Sequence, residues 1–253
     1  MTNRISLTKF GHACVRLEKD GTRLVIDPGN LTDLDEALEG AENILVTHQH
    51  PDHLDEPKVL TFMASSSGVT VRAPEIPAER LRASSADFGV DPSRIISVGP
   101  GDRFKLAGFS IETVGGQHAV IHPNIPVVEN NGYIVDGLIY HPGDSFVVPS
   151  GSAPDTLLVP LNAPWNKMAE MVDFVTAVRP RQAIPIHDGL LNEPGMDLYR
   201  KRAGMFARRH GVNLEILDVG DSVVVEGERP ITNIEAADDG AFHDALDVQH
   251  FNG

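Results

Sequence analysis

The sequence predicts one layered α/β domain, and three observations carry that expectation. The chain has 253 residues, ample for a sizeable core in one large domain. Short apolar runs of strand length alternate with longer amphipathic segments, the pattern of mixed strands and helices packed in layers. A hairpin, a buried strand and an x-Pro-Gly stop also occur twice, about half a domain apart, which points to two related β-rich halves.

In order along the chain, Ile5, Leu7 and Lys9 alternate with polar neighbours, and Val15 and Leu17 continue the period of two. Asp20-Gly21 reads as a two-residue hairpin turn, because both residues tolerate positive φ. Leu24-Val25-Ile26 follows as a buried strand that stops at Asp27-Pro28-Gly29. The second version of the phrase runs from Tyr133-Ile134-Val135 through Asp136-Gly137 and Leu138-Ile139-Tyr140 to His141-Pro142-Gly143. Further strands are expected at 44–47, 69–72, 94–98, 109–114, 156–159, 182–186 and 214–217, and helices at 56–65, 76–86, 166–178 and 196–210. In the third helix Met168, Met171, Val172 and Val175 form one apolar stripe. No flexible linker divides the chain, so residues 1–253 read as a single domain, with 229–253 as a surface tail that has lost periodicity.

Composition narrows the function classes. Apolar residues make up 41% and charged residues 23%, ordinary for a folded domain and wrong for a disordered chain. With 36 acidic against 21 basic residues the formal net charge is −15. A body that negative repels phosphate backbones, so nucleic acid is not expected as a partner. Cys14 stands alone, which excludes an internal disulfide and suits a reducing compartment. Without an apolar run long enough to span a bilayer or a signal-like start, the expectation is a cytoplasmic protein with no membrane partner.

The chemistry concentrates in Thr47-His48-Gln49-His50-Pro51-Asp52-His53, just past an expected strand, where loops host ligands. His48 and His50 are two apart, so in extended chain both imidazoles project to one side. Pro51 keeps His50 extended, and Asp52 and His53 turn onto the following helix and face elsewhere. One loop can therefore feed two adjacent metal positions. His118, Asp144 and His187 each follow an apolar strand, so all of them can converge on one edge of the sheets.

These motifs resemble the metallo-β-lactamase superfamily over nearly the whole chain. The resemblance implies a four-layer αββα sandwich of two similar halves. It implies that His48, His50 and His118 hold one metal, that Asp52, His53 and His187 hold a second, and that Asp144 bridges both. Asp27 matches the strand-end aspartate that supports the metal loop by hydrogen bonds. Two divalent ions are then expected, with zinc suited to the donors and manganese or iron accepting the same set. Leu54-Asp55-Glu56-Pro57 after the histidine motif, together with Gly11-His12-Ala13, is similar to the branch holding ascorbate-6-phosphate lactonase and the N-acylphosphatidylethanolamine phospholipases.

On that resemblance, a hydroxide held by the metal pair would cleave a small-molecule lactone or ester, with Asp52 as the catalytic residue that orients it and relays its proton. A phosphodiesterase or phospholipase would use the same nucleophile but needs added cations, for which Lys167 or Arg16 would have to point inward. A non-catalytic metal-binding protein of the same fold is the third class. His12 is a candidate for contacting substrate or a ligand's outer side. In the loop from Asn162 to Lys167, Trp165 is expected as apolar pocket wall with Asn162 or Lys167 as polar handles; the alternative is that Trp165 caps the core and Asn166 caps a helix.

Overall fold

The computed structural model describes residues 4–151 and 153–227. The tail expected over 229–253 lies outside the described residues. The first half contains β1 (Arg4–Gly11), β2 (Cys14–Lys19), β3 (Thr22–Ile26), α1 (Leu34–Ala37), β4 (Asn43–Leu45), α2 (Glu56–Ser65), β5 (Thr70–Ala73), α3 (Glu75–Ser85) and β6 (Ile95–Ser97). The second contains β7 (Arg103–Leu106), β8 (Phe109–Gln117), β9 (Glu129–Val135), β10 (Ile139–His141), β11 (Thr156–Pro160), α4 (Met168–Val178), β12 (Gln182–Ile186), α5 (Glu193–Arg209), β13 (Asn213–Leu214) and β14 (Ser222–Glu226).

Two seven-stranded sheets result, ordered β14-β1-β2-β3-β4-β5-β6 and β13-β12-β11-β10-β9-β8-β7. The repeated phrase is a repeated topology. β1, β2 and β3 pair antiparallel and then β3 to β6 pair parallel; β8, β9 and β10 pair antiparallel and then β10 to β13 pair parallel. Both hairpin turns have positive φ at each central residue, at Asp20 and Gly21 and again at Asp136 and Gly137, the backbone that matches strand twist.

Three apolar clusters make the layers. Leu24, Ile26, Ile139, Leu158, Ile184 and Ile186 pack between the sheets. Val25, Ile44 and Val71 face the opposite side, against Val59, Leu60 and Met63 of α2 and Leu81 of α3. Leu157, Val159 and Ala183 face Met171, Phe174 and Val175 of α4 and Ala203 and Ala207 of α5. Inner strands buried on both faces explain why their sequences run apolar without alternating. The order helix–sheet–sheet–helix is the αββα sandwich. Among the described residues no helix is long and apolar enough to cross a membrane.

Several expected boundaries move. The third expected helix begins at Met168, because Asn166 donates its amide to the Pro160 carbonyl and Lys167, still extended, occupies the N-cap without a side-chain cap. Asn166 is therefore not the cap. The fourth begins at Glu193, where the Asn192 side chain accepts from the Gly195 N–H and Pro194 sits in the first turn. The strand expected at 214–217 is only β13, since Leu217 leaves the sheet edge and packs between the sheets. The strand expected at 44–47 ends at Leu45, which leaves Thr47 and the histidine motif in the loop.

Candidate metal centre

Asp27 organises the centre from below. It follows β3 at φ 54° and is fully buried. One carboxylate oxygen accepts the Thr47 N–H at 2.7 Å; the other accepts the Thr47 hydroxyl at 2.7 Å and faces His53 Nδ1 at 2.6 Å. Thr47 Oγ1 lies 3.0 Å from His48 Nδ1. With its own proton on Asp27, the hydroxyl accepts from His48.

The outward nitrogens of the other histidines are anchored similarly. His118 Nδ1 meets the Ala119 carbonyl and His187 Nδ1 meets the Asn162 carbonyl, each at 2.6 Å. An N–H given to an outer oxygen leaves the lone pair of Nε2 facing inward. The inward Nε2 atoms of His53, His118 and His187, with Oδ1 of Asp144, are buried and have no hydrogen-bond partner. Such atoms each cost about 1–3 kcal/mol unless something satisfies them. Three lone pairs and a carboxylate oxygen aimed at one space suit a cation, so the donor set fits the expected metals.

Distances divide the donors into two groups. His48, His50, His118 and Asp144 form one set and His12, Asp52, His53 and His187 the other; within each, the donor atoms lie within 4.8 Å of one another. His48 Nε2 and His50 Nδ1 are 3.0 Å apart. Asp144 also reaches the second set: its Oδ1 is 3.1 Å from His53 Nε2, while Oδ2 is 3.3 Å from His118 Nε2 and 3.2 Å from His187 Nε2.

Electrostatics follows this crowding. Burial raises the Asp144 carboxyl, but His53, His118 and His187 outweigh it and hold the group well below the usual carboxylate range. Burial lowers His53, yet Asp144 and Asp27 on either side push it well above the usual histidine value, so the two carboxylates favour a positive charge at Nε2 that a proton or a bound cation can supply. Burial, with neighbouring imidazoles, pushes His48 well down. Asp52 keeps 26% of its side chain exposed; burial raises it, and the His12 hydrogen bond and His53 bring it down to about 2.

A family model described as the β-lactamase superfamily domain matches residues 6–187. Protein Rv0786c of Mycobacterium tuberculosis is 39% identical over 206 residues, covering 78% of this chain and 91% of its own. The chain belongs to the β-lactamase superfamily. It is also similar to the UPF0173 metal-dependent hydrolase MJ1163 of Methanocaldococcus jannaschii, 26% identical over 194 residues, covering 72% of this chain and 83% of the relative. In three dimensions it is similar to the metallo-β-lactamase fold protein YhfI of Bacillus subtilis, with a TM-score of 0.68, 15% identity, and coverage of 88% and 99%.

The superfamily motif positions His48, His50, Asp52, His53, His118, Asp144 and His187 all meet at this centre, with Asp27 behind it. Trp165 is there too, but its indole N–H donates to Asp144 Oδ2 at 2.9 Å and its ring packs edge-on to Phe146. Asn162 contributes its backbone carbonyl to His187. Lys167 is exposed and paired with Glu170 at 3.1 Å, so it supplies no handle at the centre. Arg16 is spent on Glu18 and the Glu36 carbonyl. His141 donates from Nε2 to the Ala13 carbonyl and accepts the Gly143 N–H, a supporting role; His122 and His210 are exposed.

Sequence reading missed Asn130 and two glycines. The Asn130 side chain, at the start of β9, donates to the Pro142 carbonyl and accepts the Asp144 N–H, so it holds that loop from both sides. A Cβ on Gly29 would lie 1.8 Å from the Asp52 carbonyl oxygen, and one on Gly143 would lie 2.3 Å from Asn130 Oδ1. The signal was present in the twice-used Pro-Gly stop: each glycine lets a loop that leads to candidate ligands pass at contact distance.

Proposed function

We propose that the protein is a metal-dependent hydrolase that uses two divalent cations, zinc suiting the nitrogen-rich donors, to cleave a small-molecule lactone or carboxylic ester. The observation that carries this reading is the set of buried, unpartnered donor atoms of His53, His118, His187 and Asp144 directed at one space. A bound pair of cations supplies a nucleophile at neutral pH, because coordination lowers the pKa of water from near 16 to roughly 7. His48, His50 and His118 would hold one cation and Asp52, His53 and His187 the other, with Asp144 serving both. Asp52, a carboxylate with about a quarter of its side chain in solvent, would be the catalytic group that accepts the nucleophile's proton and passes it to the leaving oxygen.

Charge favours a carbonyl substrate. The cations that a phosphodiester would call on, Lys167 and Arg16, are engaged by Glu170 and Glu18. Val120, Val148 and Leu190, on the loops after His118, Asp144 and His187, are exposed and offer apolar contact to the non-reacting part of an ester. The narrower kinship with the ascorbate-6-phosphate lactonase branch rests on the string from His48 to Asp55 and on Gly11-His12-Ala13.

The test pairs metal analysis with turnover of lactone, aryl ester and bis-aryl phosphodiester panels by wild type and Asp144→Ala. Two metals per chain, turnover of carbonyl substrates, and a loss on the order of a thousandfold in the variant are expected, since a metal supplies several kcal/mol at the transition state. Turnover confined to phosphodiesters would replace this reading with the phosphodiesterase one. Undiminished turnover in the variant would remove the bridged pair.

A further inference from the structure

His12 stands among the second group of donors, with Nε2 3.1 Å from Asp52 Oδ2 and its ring 4.0 Å from that of His187. Position alone would make it a metal ligand. Its wiring is opposite to that of the others. His48, His53, His118 and His187 turn Nδ1 to an outer oxygen; His12 Nδ1 instead faces a donor, the Gly189 N–H, at 3.1 Å. Nδ1 must therefore carry the lone pair, and in the neutral ring the proton sits on Nε2.

We propose that His12 is a positioning residue for the hydrolytic reaction, donating Nε2–H to Asp52 Oδ2 and holding no metal. The proposal rests on the hydrolase reading above and names a role within the same centre. Among the described residues it is the only side chain that donates a hydrogen bond to the Asp52 carboxylate. His53 Nε2 and His187 Nε2 lie 3.9 and 3.6 Å from the same oxygen, beyond hydrogen-bond distance. A carboxylate with a quarter of its surface in solvent would otherwise rotate about its terminal bond. The His12 bond fixes which oxygen faces the two imidazoles and so sets the plane in which Asp52 accepts a proton.

The alternative has a definite cost. If Nε2 were a ligand, the proton would move to Nδ1 and face the Gly189 N–H head-on. Two opposed donors would leave the N–H of the His12 ring, which is buried, without a partner. The backbone is committed to the observed arrangement as well. His12 has φ 44°, rare for a residue with a side chain, and its carbonyl accepts the His187 N–H at 2.8 Å. A Cβ on Gly189 would lie 3.1 Å from His12 Nδ1, so glycine is what allows the approach.

Two substitutions separate the possibilities. His12→Asn keeps an acceptor for Gly189 and suits positive φ, but its amide is too short to reach Asp52. His12→Gln places an amide N–H near the Nε2 position, gives up the Gly189 bond and fits the backbone less well. A positioning role predicts crossed rankings: Asn the more stable protein, Gln the more active. We expect kcat to fall on the order of 10–100-fold in His12→Asn with KM little changed, and His12→Gln to recover the greater part, both variants retaining two zinc ions per chain. Independently of activity, 15N spectra of the zinc-loaded wild type should show His12 protonated at Nε2 and bare at Nδ1. Loss of one zinc equivalent in both variants, or loss of the Nε2 proton on zinc loading, would make His12 a ligand and overturn the proposal. Turnover in His12→Asn equal to or above that in His12→Gln would reduce it to a structural residue. If wild type binds two metals but hydrolyses nothing, the hydrolase reading fails, while the 15N spectra and zinc counts still decide whether His12 is donor or ligand.

Discussion

Residue identity at this centre matters through single atoms. Trp165 illustrates the point: a large apolar ring beside a pocket suggests a wall, yet its N–H ends on the carboxylate that spans both donor groups. Trp165→Phe keeps an aromatic ring but removes the N–H donor together with the indole's second ring. If the indole holds Asp144 in place, zinc affinity measured by calorimetry should drop about 10–100-fold and kcat should fall with it. A rise in KM alone, with zinc affinity intact, would return Trp165 to the role of wall. Lys9 adds a second lesson, because a lysine in the alternating pattern of β1 is 2% exposed and pairs with Asp188, the residue after His187. The ion pair ties β1 to the loop that carries a donor.

At the scale of elements, the strands end in step and the loops beyond them interlock. The Asn30 N–H reaches the Pro51 carbonyl and the Asp55 N–H reaches the Pro28 carbonyl, so the stop after β3 and the histidine motif are one unit. Gly29 lies between them. Gly29→Ala must push the Asp52 backbone aside, since the new carbon would sit 1.8 Å from its oxygen. A loss of roughly 3 kcal/mol or more in urea unfolding is expected, with impaired zinc binding. Gly68→Ala, where nothing lies within 4 Å of the added carbon, should change stability by no more than about 0.5 kcal/mol. Equal effects at the two sites would show that the interlock does not constrain the loop.

For the whole molecule, the layers bury groups that prefer to stay neutral. Burial raises the Cys14 thiol well beyond its ordinary range, and burial likewise raises Tyr133 and Tyr140. A raised folded pKa means that the unfolded chain gives up its proton first. The stabilisation is therefore whole below the unfolded value and is lost as pH rises toward the folded one. Cys14 should start to act near pH 9 and the tyrosines above about pH 10, each removing up to about 1.4 kcal/mol per pH unit. Urea titrations from pH 8 to 10.5 should show stability falling, and Cys14→Ala should flatten the segment between pH 9 and 10. Matching slopes for wild type and variant would refute the assignment to the thiol.

Much of this was legible in the chain itself. Asp20-Gly21 and Asp136-Gly137 announce their turns because few residues accept positive φ, and continuous apolar runs such as Leu24-Val25-Ile26 announce strands buried on both faces. The spacing of His48, His50, Asp52 and His53 likewise announces a loop with two directions of projection. Short elements escaped: α1 and β7 carry too few residues to show a period, and the partner of β14 is β1, at the other end of the chain. What only the tertiary structure decided is which atom of each donor faces the centre. A histidine's inward nitrogen is chosen by whatever meets the other one, and for three of them that partner is non-local: Asn162 for His187, Asp27 for His53, and Gly189, 177 positions away, for His12. Spacing can bring imidazoles to one place, but proton positions depend on contacts that exist only once the two sheets have closed on each other.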